Sequence, residues 1–224
     1  MWRFFAVVLG CILLLQGCSL SEKGGKAVKE QLFQAAKLGE TDTVIKLIDD
    51  GAKLNAQDSN GRTALMIATY NNDVKTAKVL IDAGADVNIQ DHMKNSPFLY
   101  AGAEGFIDIL KLTIKAGADP TITNRYGGTA LIPASEHGYV NVVKELLINT
   151  DIDVNHVNNL GWTALLEAII LNNGNQIQQQ TVQILIDHGA DVNLTDNENV
   201  SPLQHAREKG FKEIEAILLK AGAK

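Results

Sequence analysis

The sequence predicts an all-α solenoid of about six helix-turn-helix units linked by hairpin fingers, on three observations. First, the tripeptides Thr63-Ala64-Leu65, Ser96-Pro97-Phe98, Thr129-Ala130-Leu131, Thr163-Ala164-Leu165 and Ser201-Pro202-Leu203 recur at spacings of 33, 33, 34 and 38 residues. Second, another marker keeps the same phase: Gly51-Ala52-Lys53-Leu54-Asn55, Gly84-Ala85-Asp86-Val87-Asn88, Gly117-Ala118-Asp119-Pro120-Thr121, Asp151-Ile152-Asp153-Val154-Asn155 and Gly189-Ala190-Asp191-Val192-Asn193. Third, apolar residues between the markers fall at helical spacing, as in Val74, Ala77, Leu80 and Ile81. A lone pair of short helices cannot bury both faces, so neighbouring units must stack. Packing holds the stack, because both cysteines, Cys11 and Cys18, precede the repeats.

The first element is an N-terminal leader. Arg3 supplies a positive start, and Phe4 to Leu15 is an apolar run of twelve residues, well short of the roughly 20 that cross a bilayer as a helix. It reads as a signal peptide. Leu15-Gln16-Gly17-Cys18 follows and resembles the bacterial lipobox. That resemblance implies removal of residues 1–17, a diacylglyceryl group on Cys18 and acylation of the new N-terminus. Val8-Leu9-Gly10-Cys11 has a similar form but leaves only about seven residues after Arg3, at the short limit for the apolar region, so Cys18 is preferred. An uncleaved anchor and a non-lipidated signal peptide are the alternatives. Each buried methylene contributes about 0.8 kcal/mol, so one acyl chain binds marginally and two or more hold stably. Residues 18–27 continue as a polar, glycine-containing tether. The expected location is a cell membrane, lipid-anchored and extracytoplasmic, on a periplasmic face or the cell surface.

Residues 28–224 form the repeat domain. Residues 28 to 50 supply a helix pair whose Lys29, Glu30, Lys37 and Glu40 face water, an N-terminal cap. In the next unit Thr63 is placed to cap a helix whose Leu65 and Ala68 form an apolar stripe. Val74 to Ile81 make the second helix, and Gly84 stands where a left-handed C-terminal cap is wanted. Asp58-Ser59-Asn60-Gly61 is rich in turn-formers and makes the finger joining two units. The following units repeat this order. Residues 201 to 220 close the array with the charged face Arg207, Glu208, Lys209, Lys212 and Glu213.

Together the two markers strongly resemble the ankyrin repeat, over residues 28 to 224. Four departures stand out. Lys94 replaces the glycine of other fingers, Gly61, Gly127 and Gly161, so that finger is expected to bend differently, whereas Asn199 at the same place tolerates a left-handed backbone. Asn149-Thr150-Asp151 replaces the usual glycine cap and adds one residue. The family's frequent histidine in the first helix is missing, with Met66, Leu99, Ile132, Leu166 and Gln204 in its place. About five extra residues fall within Asn172 to Gln180, read as a tolerated surface insertion or a longer helix, with Gln178 and Gln179 as replaceable surface residues.

Composition narrows the function. A formal charge of -6 would repel a phosphate backbone, so nucleic acid is a poor partner. His92, His137, His156, His188 and His205 are spread over different units without paired ligand spacing, so no metal is expected. No nucleophile elbow, phosphate loop or dinucleotide fingerprint is present, and Asp86 and Asp191 belong to the repeat marker, so neither an enzyme nor a cofactor is indicated.

Binding remains. The ankyrin resemblance implies that finger tips and first helices present the partner surface, which selects Tyr70, His92, Met93, Arg125, Tyr126, His137, Leu160 and Trp162. Arg125, Tyr126, Leu160 and Trp162 on adjacent fingers form the candidate hot spot, since turn tips have little other reason to be apolar. Alternatively, Trp162 and Leu160 pack against the neighbouring finger. The expected function is a non-catalytic protein-protein interaction module, membrane-tethered through acylated Cys18 and binding exported or surface proteins. An accessory or stability factor for an exported enzyme is the second reading.

Overall fold

In four of the five repeat signatures the opening hydroxyl residue caps a helix. Thr63 accepts from Met66 N, Ser96 from Leu99 N, Thr163 from Leu166 N and Ser201 from Gln204 N. Each cap occupies one of the amide donors that a helix start leaves unpaired. The computed structural model describes residues 27–224. The leader, Cys18 and the tether up to residue 26 lie outside the described residues. Twelve helices and no strand occur among the described residues.

The helices come in six pairs. They are α1 (27–38) with α2 (Thr41–Asp49), α3 (Ala64–Tyr70) with α4 (Val74–Asp82), and α5 (Pro97–Ala103) with α6 (Ile107–Lys115). The remaining pairs are α7 (Leu131–Glu136) with α8 (Val140–Asn149), α9 (Ala164–Ile170) with α10 (Gln176–Asp187), and α11 (Pro202–Glu208) with α12 (Lys212–Lys220). The first helices α3, α5, α7, α9 and α11 pack in one row and the even-numbered helices in a second. Fully buried Leu65, Leu80, Leu110, Leu131 and Leu165 fill the space between rows. Small residues set the spacing along the first row: a Cβ on Gly102 would stand 2.9 Å from that of Ala130. Gly84 takes φ +93° after α4, the left-handed cap anticipated there.

Each finger is an Asx turn, in which one side-chain oxygen accepts two backbone amides. Asp58 Oδ1 takes Asn60 N and Arg62 N at 2.8 and 2.9 Å. Asp91, Asn124, Asn158 and Asp196 repeat the arrangement in the next four fingers. This overturns the expectation for Lys94. It adopts φ +60°, as Asn199 adopts +61°, and the Asp91 bonds hold its finger in the common form against a cost of about 1 kcal/mol.

The Gly-Ala-Asp-Val-Asn marker is a ladder between units. Asn55 Oδ1 accepts from Asp86 N, Asn88 Oδ1 from Asp119 N, Asn155 Oδ1 from Asp191 N and Asn193 Oδ1 from Lys224 N, all within 2.8–3.0 Å. Asp86 and Asp191 each accept the amide two residues on, so they serve structure. Thr150 does the work of the missing glycine: its hydroxyl donates to Leu146 O at 2.6 Å and accepts from Ile152 N at 3.3 Å.

The insertion lengthens α10 to 12 residues, against 9 in α4 and α6, with Asn175 capping it. Gln178 departs from expectation. It is 3% exposed, and its amide donates to Glu136 O at 3.1 Å and Asn172 Oδ1 at 2.8 Å, tying α10 to the end of α7. It is a buried bridge rather than a replaceable surface residue.

Candidate partner-binding groove

Five fingers follow one another along one edge: Asp58–Arg62, Asp91–Asn95, Asn124–Gly128, Asn158–Trp162 and Asp196–Val200. Backbone bonds join some of them, His92 N to Asn60 O and Asn159 N to Tyr126 O, both 2.9 Å. The fingers therefore hold fixed positions relative to one another.

On this frame the sequence-selected residues divide into three groups, with Tyr126 shared by the second and third and His137 standing apart. Tyr70 is half-buried; its hydroxyl donates to Asp91 Oδ2 and accepts from Asn95 Nδ2, and its ring meets Tyr100 edge-on. Burial, with the Asp91 carboxylate, pushes its phenol up to about 12. Tyr70 thus props the second finger. His92, Met93, Arg125 and Tyr126 form an exposed strip on the second and third tips: the Arg125 guanidinium lies 4.7 Å over the Tyr126 ring, and its other edge reaches Met93 Sδ at 3.8 Å. His137, at the end of α7, is exposed, donates through Nδ1 to Pro133 O at 2.8 Å and stacks on Tyr139.

The third group surrounds a groove of about 260 Å³ between the third and fourth fingers, over α7 and α9. Tyr126, Leu160, Trp162 and Leu171 wall it, together with Ile132 and Pro133 of α7. Tyr126, Leu160 and Leu171 are about half exposed, at 52, 51 and 48%, while Trp162 is partly covered. The structure brings Tyr126, Leu160 and Trp162 to one opening. Arg125 does not line it; its guanidinium lies against Tyr126 and toward Met93 of the second finger.

Glu136 and Glu167 make the acidic part of this lining, and Glu167 is the residue that sequence reasoning missed. It is 6% exposed, and one carboxyl oxygen accepts from Asn158 Nδ2 at 2.8 Å. Its other oxygen has no hydrogen-bond partner among the described residues. Burial, then the Glu136 carboxylate, pushes its carboxyl up to about 7, against the weaker pull of the Asn158 bond and His137. The available signal was its place inside Leu165-Leu166-Glu167-Ala168-Ile169, a short helix whose other residues in that stretch are buried.

Pro133 leaves a second mark on the site. In α3, α5, α9 and α11 the residue four beyond the cap donates to the cap carbonyl, as Ile67 N does to Thr63 O. Pro133 has no N–H, so Ile132 N turns to Thr129 O instead, and the Thr129 hydroxyl is left buried without a partner. The helix α7 accordingly starts one residue late, at Leu131. Among the described residues there is no group of three or more His, Cys, Asp or Glu placed to hold a metal, and no helix long and apolar enough to cross a membrane.

Stacked helix pairs carrying a row of fingers over a shaped groove define a helical repeat protein built for binding. The family model for ankyrin repeats (3 copies) matches residues 5–91 and 98–196. The chain belongs to the ankyrin repeat family, whose repeats are generally non-enzymatic protein-interaction domains. It is similar to a solved ankyrin repeat domain from Acinetobacter baumannii AYE, with 51% identity and a TM-score of 0.84 over 86% of this chain and 98% of that one. The solved ankyrin repeat protein EF0377 gives 41% identity and a TM-score of 0.83 over 88% of this chain and 98% of that one. The ankyrin repeat domain of Bcl-3 shares the fold at 24% identity and a TM-score of 0.78, over 87% of this chain and 86% of that one. YahD of Escherichia coli (strain K12), named for its ankyrin repeats, is 56% identical over 81 residues, which are 36% of this chain and 40% of YahD.

Proposed function

We propose that this protein is a non-catalytic interaction module, tethered to a membrane by acylated Cys18, that holds an exported or surface protein on its finger face. The observation that carries the binding part is the convergence of exposed Tyr126 and Leu160 with Trp162 on one groove. Aromatic residues in such positions are enriched among interface hot spots, and truncating one typically costs about 2 kcal/mol or more, roughly thirtyfold in affinity. The leader supports the tether: a short apolar run after Arg3 ends at Gly17-Cys18, and residues 18–26 offer nothing to bury.

Two measurements test the two halves. Metabolic labelling with a clickable fatty acid is expected to mark the wild-type protein and to be abolished by Cys18→Ser; undiminished labelling would end the lipoprotein reading. Chemical crosslinking on intact cells is expected to join the wild type to a discrete partner. Trp162→Ala and Tyr126→Ala should lose it while melting nearly as the wild type does. A Trp162→Ala protein that keeps its partner but unfolds several degrees earlier would show that the indole packs between fingers.

A further inference from the structure

The groove between the third and fourth fingers joins apolar walls to an acidic lining. Leu160, Trp162 and Leu171 offer hydrocarbon and aromatic surface, while Glu136 and Glu167 line the same space, near enough for the Glu136 charge to act on the Glu167 carboxyl. At about 260 Å³ it falls below the roughly 300–1,000 Å³ of sites for drug-sized ligands, and suits one long side chain. Glu167 is 94% removed from solvent, yet only one of its oxygens is bonded, to Asn158. The other oxygen is not one of the buried polar atoms left without a partner, so it meets water in the groove, and an occupant that displaces this water has to bring N–H donors and positive charge.

We propose that this groove seats a Lys or Arg side chain of the bound protein, its cationic head on Glu167 and Glu136 and its methylene stem along Leu160, Trp162 and Leu171. The proposal rests on reading the finger face as the partner-binding surface. Lys and Arg have the matching two-part character, an apolar stem ending in a charge. The Tyr126 and Trp162 rings add a favourable edge, since cations are drawn to aromatic faces. An anionic group would meet two carboxylates. An apolar one would seal the free oxygen of Glu167 away from water without a partner.

The remaining charges agree with this. Arg125 is engaged with Tyr126 and Met93 on the far side of the third finger. His137, at the end of α7, is held by Pro133 O and stacked on Tyr139, with Nδ1 4.0 Å from a Glu136 carboxylate oxygen, so Glu167 is the principal seat for the cation and Glu136 the secondary one. His205 of α11 is paired with Asp196 of the last finger at 2.8 Å. None of them is bonded to Glu167. Because the Glu167 carboxyl is pushed up, chiefly by burial, an incoming cation displaces its proton, and binding tightens as pH rises through about 7.

The test uses the protein expressed from the full chain and purified in detergent micelles, with Trp2→Phe so that Trp162 is the sole indole even in any molecule that keeps its leader. The probes are acetyl-Gly-Leu-Lys-Leu-Gly-amide and its norleucine counterpart, titrated to ~10 mM while the indole emission is read. The lysine peptide is expected to saturate at a concentration at least about tenfold lower than the norleucine peptide above neutral pH, and Glu167→Gln should shrink that preference to within about twofold. Glu136→Gln, at a half-exposed position, should reduce it in the same direction, so the result does not hang on one variant. Equal responses to both peptides would overturn the cation seat but leave the finger face as the binding surface. No saturable response to either would overturn both.

Discussion

Glu167→Gln is expected to make the protein more stable at neutral pH, and the effect can be sized from the site. The Glu167 carboxyl is raised from 4.5 to about 7, first by burial and then by Glu136. A carboxyl whose folded value is raised binds its proton more tightly in the folded than in the unfolded chain. Its contribution is therefore full below about 4.5 and is lost as pH rises through about 7. At about 1.4 kcal/mol per tenfold the loss is about 3 kcal/mol, and screening at the open mouth of the groove reduces it to about 2 kcal/mol. Glutamine keeps an oxygen for the Asn158 amide and carries no charge, so it escapes this loss. Urea unfolding followed by circular dichroism, at intervals from about pH 4 to about pH 8, should show wild type and variant equal at the acid end. The variant should lead by about 2 kcal/mol at the alkaline end, some 4–8 °C in melting temperature. Parallel curves across the whole range would refute the reasoning, because Glu167 would then ionise like an exposed carboxyl. A variant that is more stable yet binds less well is the pattern expected where stability has been given up for function.

Other substitutions probe the frame around the groove, by the same unfolding measurement. Gln178→Ala should cost about 1–3 kcal/mol, because it removes the buried amide that donates to Glu136 O and Asn172 Oδ1 and opens space between α7 and α10, and a neutral result would return the residue to the surface. Pro133→Ala should stabilise by about 1 kcal/mol by restoring the Thr129 cap and the missing helical bond, and a lower melting temperature would contradict that account of the orphaned hydroxyl. Leu131→Ala should cost about 2–5 kcal/mol through a cavity between stacked units, and an unchanged midpoint would contradict the stacking.

The repeat frame was legible because each part of it is set by local chemistry. Thr63, Ser96, Thr163 and Ser201 cap helices by their own hydroxyls, and glycines such as Gly84 sit where only a left-handed backbone fits. Spacing therefore placed the fingers and the helix pairs, and the ankyrin resemblance selected the edge on which Tyr126, Leu160 and Trp162 meet. What escaped depends on neighbours distant in sequence. Lys94 looks strained by itself, and only the two Asp91 bonds show why its finger keeps the common form. Gln178 reads as polar surface until α10 is seen to carry it against the end of α7, 42 residues back. Glu167 reads as a helix-face charge; its burial comes from Asn158, Trp162 and the α7 side of the groove, which the turn between units folds over it. The position it occupies in the repeat is held by Ile67, Tyr100, Pro133 and His205 elsewhere, so no common residue type announces it.

The central claim is that the groove between the third and fourth fingers is where a partner protein sits. Site-specific photocrosslinking in intact cells tests it most directly, with the reactive residue placed at Leu160 on the groove rim or, as the control, at Leu219, which is 46% exposed on the last helix away from the fingers. The account predicts one discrete crosslinked product from position 160 and none from position 219. It also predicts loss of the product when Tyr126 is replaced by Ala, with the attached partner peptide carrying a Lys or Arg near the crosslink. Equal products from both positions, or a product only from position 219, would contradict it.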